Sequence, residues 1–140
     1  MTRTAVCIYA EADGGSRLVN LAIPLTRKVI AEDGTAHWEG IAPASIWGIA
    51  SGDPNHATDW HPCGMAGLSI TLEGEWEIEA TDGTRRRLGP GDVLVMLDTT
   101  GTGHRSWPGG ESRCLTMGVG FGEGVEDQMR ALLAETLAAR

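Results

Sequence analysis

The chain has 140 residues, of which 20 are glycine, and its 19 acidic and 11 basic residues give it a formal net charge of −8. This length predicts one domain over residues 1–140, and the acidity argues against a nucleic-acid partner because phosphate binding depends on Lys and Arg. No apolar run is long enough to span a membrane, no secretory signal opens the chain, and the three cysteines are widely spaced. We therefore expect a cytoplasmic protein with reduced thiols.

Short extended segments separated by turns make up the first half of the chain. Periodicity predicts strands over residues 4–10 and 17–26, and a buried strand over the apolar residues 44–50. The polar residues 51–58 predict a loop. Within that loop, His56 is either a solvent-exposed residue or a substitute metal ligand.

The second half continues the strand pattern and ends in a helix. Further strands are predicted over residues 68–72, 75–79, 84–88, 93–97 and 112–120. The apolar run 93–97 is typical of a strand buried on both faces, and Asp82-Gly83 predicts a type I′ hairpin turn. Residues 125–139 carry apolar side chains on one helical face. We expect an all-β barrel or sandwich, with this helix packed outside the barrel or against a second subunit.

Two histidine-containing motifs lie between Trp60 and Trp107. The first begins with Trp60-His61-Pro62-Cys63 and ends at Gly74, and the second runs from Gly91 through Asp98-Thr99-Thr100-Gly101-Thr102-Gly103-His104. In both motifs the chain resembles the cupins, a family of small jelly-roll barrels. It resembles more narrowly a subgroup of small bacterial cupins with a Trp-His-Pro start and an Asp-Thr-Thr-Gly-x-Gly-His end. The resemblance implies a cupin-like jelly-roll β-barrel whose motif positions are filled by His61, Cys63, Gly67 (in the Glu position) and His104.

These positions leave a metal-bound and a metal-free site open. Residues two apart in a strand face the same side, so His61 and Cys63 both point into the barrel. His104 then completes a His-Cys-His set with an open position for a divalent zinc, iron, nickel or manganese ion. Gly67 removes the ligand that usually completes the cupin set. In the metal-free alternative Cys63 is a small buried apolar residue, and the two histidines line an apolar pocket.

Other side chains have two interpretations as well. Asp98 either orients the His104 imidazole and raises its basicity, or caps its own turn by accepting backbone N–H groups. Trp38 and Trp47 are the candidates for the wall of a small-molecule pocket, whereas Trp76 is expected in the core or in a dimer interface.

The sequence as a whole predicts a small-molecule enzyme of bacterial metabolism. In it His61 and His104, with Asp98, perform proton transfer on an organic acid or carbonyl compound, as in an isomerase, lyase or dehydratase. A metal-dependent dioxygenase is the first alternative, and a non-catalytic barrel that binds a small ligand is the second. The expected partners are a small-molecule substrate and a second copy of the chain, in a homodimer formed through strands at one edge, without nucleic acid or membrane.

Overall fold

The structure, a computed structural model, describes residues 1–53 and 57–140. These residues contain twelve strands and one helix. The strands are β1 (Thr2–Ala10), β2 (Ser16–Pro24), β3 (Arg27–Ile30), β4 (Ala36–Glu39), β5 (Ala44–Gly52), β6 (Thr58–His61), β7 (Gly67–Glu73), β8 (Trp76–Glu79), β9 (Arg85–Leu88), β10 (Val93–Leu97), β11 (His104–Pro108) and β12 (Cys114–Phe121). The helix α1 spans Val125–Ala138. The candidate ligand His56 lies outside the described residues.

The strands form two packed sheets and a separate hairpin. The larger sheet has six strands in the order β2-β1-β10-β7-β12-β5, the smaller has four in the order β6-β11-β8-β9, and β3 pairs with β4. Neighbouring strands such as β1 and β10 are far apart in the chain, which is the arrangement of a jelly roll. The predicted all-β jelly-roll barrel with a C-terminal helix is therefore confirmed.

The six-stranded sheet is buried on both faces near its centre. The inner core lies between the two sheets and consists of Ile8, Ile78, Ala80, Leu88 and Leu94. The outer core lies under α1 and includes Ala5, Cys7, Leu21, Val95, Leu97 and Leu133. Successive side chains of a strand face opposite sides, so β10 contributes Leu94 to one core and Val95 to the other. The expectation that residues 93–97 form a strand buried on both faces is confirmed.

The helix packs against the outer face of the six-stranded sheet, which is one of its two predicted positions. Gly124, with a φ of 79°, turns the chain into α1, and Val125 and Leu133 are its buried residues. Fully burying a side chain of this size contributes about 1.5–3 kcal/mol. Across residues 1–53 and 57–140, no helix is long and apolar enough to cross a membrane.

Two local predictions differ from the structure. The strand predicted as buried over residues 44–50 is β5, which is exposed along its whole length because it is an edge strand paired with β12. The hairpin between β8 and β9 is present, and the Ala80 N–H donates to the Thr84 carbonyl across its turn. Within this turn Gly83 has a φ of 86°, and the non-glycine residues have negative φ. A type I′ turn needs positive φ at both central residues, and Asp82 does not adopt it.

Candidate functional site

The strands β6 and β11 run side by side and bring two histidines together. His61 is the register partner of His104, and Thr58 is that of Ser106, so β6 carries one residue more than β11 between these pairs. This extra residue is a β-bulge, which turns Thr58 and His61 to the same side of the sheet although they are three residues apart in the chain. The Thr58 and Ser106 hydroxyl oxygens lie 2.9 Å from each other. The bulge thus aligns two hydroxyls and two imidazoles along one face.

The two imidazoles are held in the same tautomer. Their ring centroids are 4.6 Å apart, and the ring planes are tilted by 58°. His61 Nδ1 donates to the Asp59 carbonyl at 2.7 Å, and His104 Nδ1 donates to Asp98 Oδ2 at 2.6 Å. Because a carbonyl and a carboxylate only accept, each Nδ1 carries the hydrogen, and each Nε2 is the ring nitrogen that these bonds leave to act on a ligand.

Asp98 orients His104 from a fully buried position directly after β10. Its side chain is 0% exposed, and Oδ1 has no hydrogen-bond partner among the described residues. Its backbone carbonyl accepts from the Cys63 N–H at 2.9 Å, which ties the loop after β6 to the same point. Burial, with the added effect of the Asp98 charge, raises the pKa of the neighbouring Cys7 thiol to about 12. The carboxylate therefore acts on the His104 ring in a poorly solvated environment.

The glycines before His104 let the two strands approach closely. Gly101 and Gly103 have φ values of 75° and 76°, which L side chains rarely adopt. A Cβ at Gly103 would meet the carbonyl oxygen of His61. The Gly103 carbonyl also accepts from the Ser16 hydroxyl at 2.6 Å, which anchors this turn on β2. The glycine pair in the sequence motif thus serves the packing that places His104 beside His61.

Cys63 does not present a thiolate to the two histidines. It lies beyond the end of β6, and its thiol donates to the Met65 carbonyl at 2.7 Å. Burial, the larger cause, and the Asp98 charge raise the pKa of this thiol, so without a bound metal it is protonated at neutral pH. At Gly67, a Cβ would lie 2.3 Å from the Val119 carbonyl oxygen, which leaves no room for an acidic ligand.

The donor set of the described residues does not fit a three-ligand metal centre. Over residues 1–53 and 57–140, no group of three or more His, Cys, Asp or Glu side chains is placed to hold a metal ion. Of the three predicted ligands, the structure brings His61 and His104 into contact and turns the Cys63 thiol toward Met65. The metal site at His61, Cys63 and His104 therefore stays a prediction.

A cavity of about 260 Å³ opens inside the barrel beside the Thr58 and Ser106 pair. It is lined by Ala50, Ser51, Gly52, Asp53, Thr58, Ser69, Trp76, Ser106, Trp107, Pro108, Cys114 and Thr116. Among these lining residues Asp53 is the one charged side chain, and small or hydroxyl side chains make up most of the rest. On β6 His61 follows Thr58, and on the antiparallel strand β11 His104 precedes Ser106, in each case on the same face. The two imidazoles therefore lie beyond one end of the cavity.

Trp76 forms part of this cavity wall and also packs against the inner core, which is the first of its two predicted places. Its Nε1 donates to Thr71 Oγ1 at 2.8 Å, which fixes the indole and leaves its ring for contact with a ligand. The alternation over residues 75–79 puts Trp76 on the same face as the buried Ile78, so the sequence indicates an inward position but not a place in the cavity. Trp107 also forms part of the wall.

Trp38 and Trp47 do not line this cavity. Trp38 lies on β4, where Lys28 Nζ is 5.9 Å from its ring centroid. Trp47 on β5 is 68% exposed and lies opposite Val119 of β12. Odd-numbered and even-numbered residues of this strand point to opposite faces of the sheet. Ala50, an even residue of β5, faces the cavity, so Trp47 faces outward.

Residues 43–124 match the AraC-like ligand binding domain, and the match covers more than half of the chain. It includes β5 to β12, and with them all the residues that line the cavity and both histidines. Among curated proteins no sequence matches the chain. The family match agrees with the resemblance to the cupins in the barrel fold, and it indicates a small molecule as the partner. The chain belongs to the AraC-like ligand binding domain family and is a cupin-like domain for a small ligand.

Proposed function

We propose that this domain binds a compact, uncharged organic molecule in the barrel cavity. The observation that carries the proposal is the chemistry of the wall, which combines hydroxyl side chains, small side chains and the indoles of Trp76 and Trp107. Sites for small molecules are typically apolar cavities with a few polar groups that fix orientation. The family match supports a small ligand, and the wall supports this class of ligand.

The cavity wall offers little to an anionic ligand. Among the described residues that line it, none is Lys or Arg. An anion that leaves water for such a wall loses its solvation without gaining an opposite charge. The net charge of −8 adds repulsion at longer range. Of the two substrate classes expected from the sequence, this favours a carbonyl compound over an organic acid.

The space for the ligand comes from small residues on β5 and β12. A Cβ added at Gly48 or Gly118 would meet no atom within 4 Å. Gly118 lies two residues from Thr116 on β12, on the same strand face, and Thr116 lines the cavity. A side chain introduced at Gly118 is therefore expected to occupy volume that the ligand needs.

A pair of matched probes tests the ligand class. Binding of cyclohexanone and of cyclohexanecarboxylate is followed by tryptophan fluorescence, with Trp76 in the wall as the reporter. We expect saturable binding of the ketone and at least tenfold weaker binding of the carboxylate. Gly118→Leu is expected to weaken ketone binding at least tenfold. Met117→Leu, on the opposite face of β12, is the control that leaves binding unchanged. Equal binding of both probes, or ketone binding that Gly118→Leu does not affect, contradicts the proposal.

A second candidate function is proton transfer on the bound carbonyl compound. The observation that favours it is the Asp98–His104 hydrogen bond, which leaves His104 Nε2 to accept a proton from the carbon next to the carbonyl of a ligand that extends beyond the end of the cavity to the imidazoles. The C–H electron pair then moves into the enolate, and Asp98 stabilises the imidazolium. Return of the proton to carbon completes an isomerisation or exchange, and His61, which is exposed, connects the pair to water.

Exchange of carbon-bound protons distinguishes an enzyme from a binding domain. In D2O, we expect the protein to speed deuterium uptake next to the carbonyl of cyclohexanone, as seen by ¹H NMR. His104→Ala is expected to lower this rate about 10²–10⁴-fold, the usual contribution of a positioned acid or base. His37→Ala, which removes an exposed histidine of β4, is the control. A wild-type rate no faster than that of His104→Ala assigns the domain to non-catalytic binding.

A further inference from the structure

We propose that a groove at the edge of the barrel binds a phosphate monoester, whose phosphate is held by the guanidinium groups of Arg3 and Arg86. The groove has a volume of about 360 Å³ and lies between β9, the edge strand of the smaller sheet, and β1 and β2 of the larger sheet. Among the described residues it shares no part of its wall with the barrel cavity. The inference therefore does not depend on which molecule that cavity binds.

The inward position of Arg86 follows from the alternation of side chains along β9. The strand consists of the run Arg85-Arg86-Arg87 followed by Leu88. Leu88 belongs to the inner core, and Arg86 faces the same side because residues two apart in a strand share a face. Its register partner on β8 is Ile78, another residue of the inner core. Arg86 is accordingly half-buried, whereas the arginine on either side of it is exposed.

The pairing of their charges also separates Arg86 from the other two arginines of this run. Arg85 forms an ion pair with Glu79, and Arg87 forms one with Glu75. Within residues 1–53 and 57–140, no carboxylate and no hydrogen-bond acceptor contacts the Arg86 guanidinium. A half-buried charge without a partner loses hydration and gains nothing in return. Its five N–H donors therefore stand ready for an anion that enters the groove.

Arg3 supplies the second guanidinium of the groove. Its Nη2 donates to the Gly91 carbonyl at 2.7 Å, which anchors the side chain, and no acid pairs with it among the described residues. The Asn20 amide and the Thr4 hydroxyl belong to the same wall, and in the described part of the chain neither side chain forms a hydrogen bond. Arginine forks with neutral donors beside them are suited to the oxygens of a phosphate.

The acid in the described wall of this groove, Asp92, is engaged in the turn before β10. Its Oδ2 accepts from the Gly89 N–H at 2.8 Å, and it forms no ion pair with either arginine among the described residues. Two unpaired guanidinium groups thus outweigh one carboxylate, and the groove is locally positive in a chain with a net charge of −8. Salt screens the more distant acids, since the Debye length is about 10 Å at 0.1 M ionic strength.

The charge and the remaining wall of the groove favour a phosphate monoester over other anions. A phosphate monoester carries a charge of about −1.5 to −2 at neutral pH and three acceptor oxygens, which suits two guanidinium groups. A carboxylate offers one charge and two oxygens. Val6 and Val93 also line the groove and are partly exposed in it, so they provide an apolar surface for the organic part of the ester. Inorganic phosphate lacks that part.

A titration with phenyl phosphate tests the groove in the full chain. Binding is followed by ¹H–¹⁵N NMR at constant ionic strength, with benzoate and inorganic phosphate as the comparison ligands. We expect saturable shifts in β1 and β9, and an affinity for phenyl phosphate about tenfold or more above that for either comparison ligand. Arg86→Gln is expected to weaken binding about tenfold or more. Arg113→Gln, which removes the same charge from an exposed arginine, is the control that leaves binding unchanged.

A second pair of variants tests the groove without altering an inward-facing residue. Asn20→Asp places a negative charge in the groove at an exposed position, and we expect it to abolish measurable binding. Gln128→Glu makes the same charge change on the exposed face of α1 and is expected to have no effect. Circular dichroism checks that every variant remains folded.

Three results overturn the proposal. The first is the absence of saturable phenyl phosphate binding to the wild-type chain. The second is an equal effect of the groove variants and their matched controls, because the contribution of charge is then not local. The third is binding of benzoate or inorganic phosphate as tight as that of phenyl phosphate, which assigns the groove to anions in general or to free phosphate.

Discussion

Gly103 is the residue on which the closeness of the two histidines depends. Its φ of 76° and the contact of its Cβ position with the His61 carbonyl impose two separate demands on this position. A side chain here has to adopt the left-handed conformation and also push the end of β6 away from β11. Glycine meets both demands, which explains why it precedes His104.

Comparison with a second glycine separates these two demands. Gly83 has a φ of 86°, but a Cβ there would meet no atom within 4 Å. We expect Gly83→Ala to lower the free energy of unfolding by about 1–2 kcal/mol, the usual cost of the left-handed conformation. Gly103→Ala is expected to cost about 3 kcal/mol or more, because displacement of the strand is added. Urea denaturation of both variants measures the difference, and equal costs would show that the close approach carries no strain.

The Cys63 thiol illustrates how the end of a strand changes the surroundings of a candidate ligand, because burial in the following loop raises its pKa. A thiol in a strand two residues after His61 would have faced the same side, but β6 ends at His61 and the chain turns. The thiol then bonds to the Met65 carbonyl, 2.7 Å away, within its own loop. Its raised pKa keeps it protonated under neutral conditions.

At the scale of elements, α1 joins the outer core to the turn that holds Asp98. Leu133 is buried in the outer core. From the same helix Arg130 donates to the Leu97 carbonyl and to Thr99 Oγ1, both at 3.2 Å, on either side of Asp98. The helix therefore supports the position of the acid that orients His104, although it lies outside the barrel.

Truncation of a buried side chain of α1 tests how strongly the packing of this helix stabilises the fold. Leu133→Ala is expected to lower the free energy of unfolding by about 2–5 kcal/mol, through lost burial and the cavity left behind. Gln128→Ala, an exposed position of the same helix, is the control and is expected to change stability by less than about 0.5 kcal/mol. Guanidinium denaturation measures both. Similar losses in the two variants would mean that the helix does not depend on this packing.

At the scale of the whole molecule, the sequence was sufficient to predict the barrel and its histidine pair. The apolar run 93–97 corresponds to the buried strand β10, and Ile78 of the alternating residues 75–79 lies in the inner core, although Glu79 beside it is buried as well. The spacing of the two motifs placed His61 and His104 as neighbours, which the register of β6 and β11 confirms. The narrower resemblance to a cupin subgroup stays a prediction.

The pocket wall was the part that the sequence could not predict. Whether a tryptophan lines the cavity depends on which strand lies at an edge and which face of it is covered, and neither property is local. Trp47 and Trp76 both stand in apolar, strand-like segments, yet one is exposed on β5 and the other faces the interior. The bulge in β6 could not be predicted from the sequence either, because it arises from pairing with β11 and not from a residue type.

The uneven cover of the six-stranded sheet has a kinetic consequence. Its strands β1 and β10 lie between two cores, whereas β5 has, within residues 1–53 and 57–140, one strand neighbour and is exposed along its whole length. Local opening in proteins occurs where few buried contacts must be broken. Backbone amides of β5 should thus exchange with solvent well before those of β10, and the cavity wall is the part of the barrel that opens first. We therefore expect a ligand to enter and leave by transient opening of this strand.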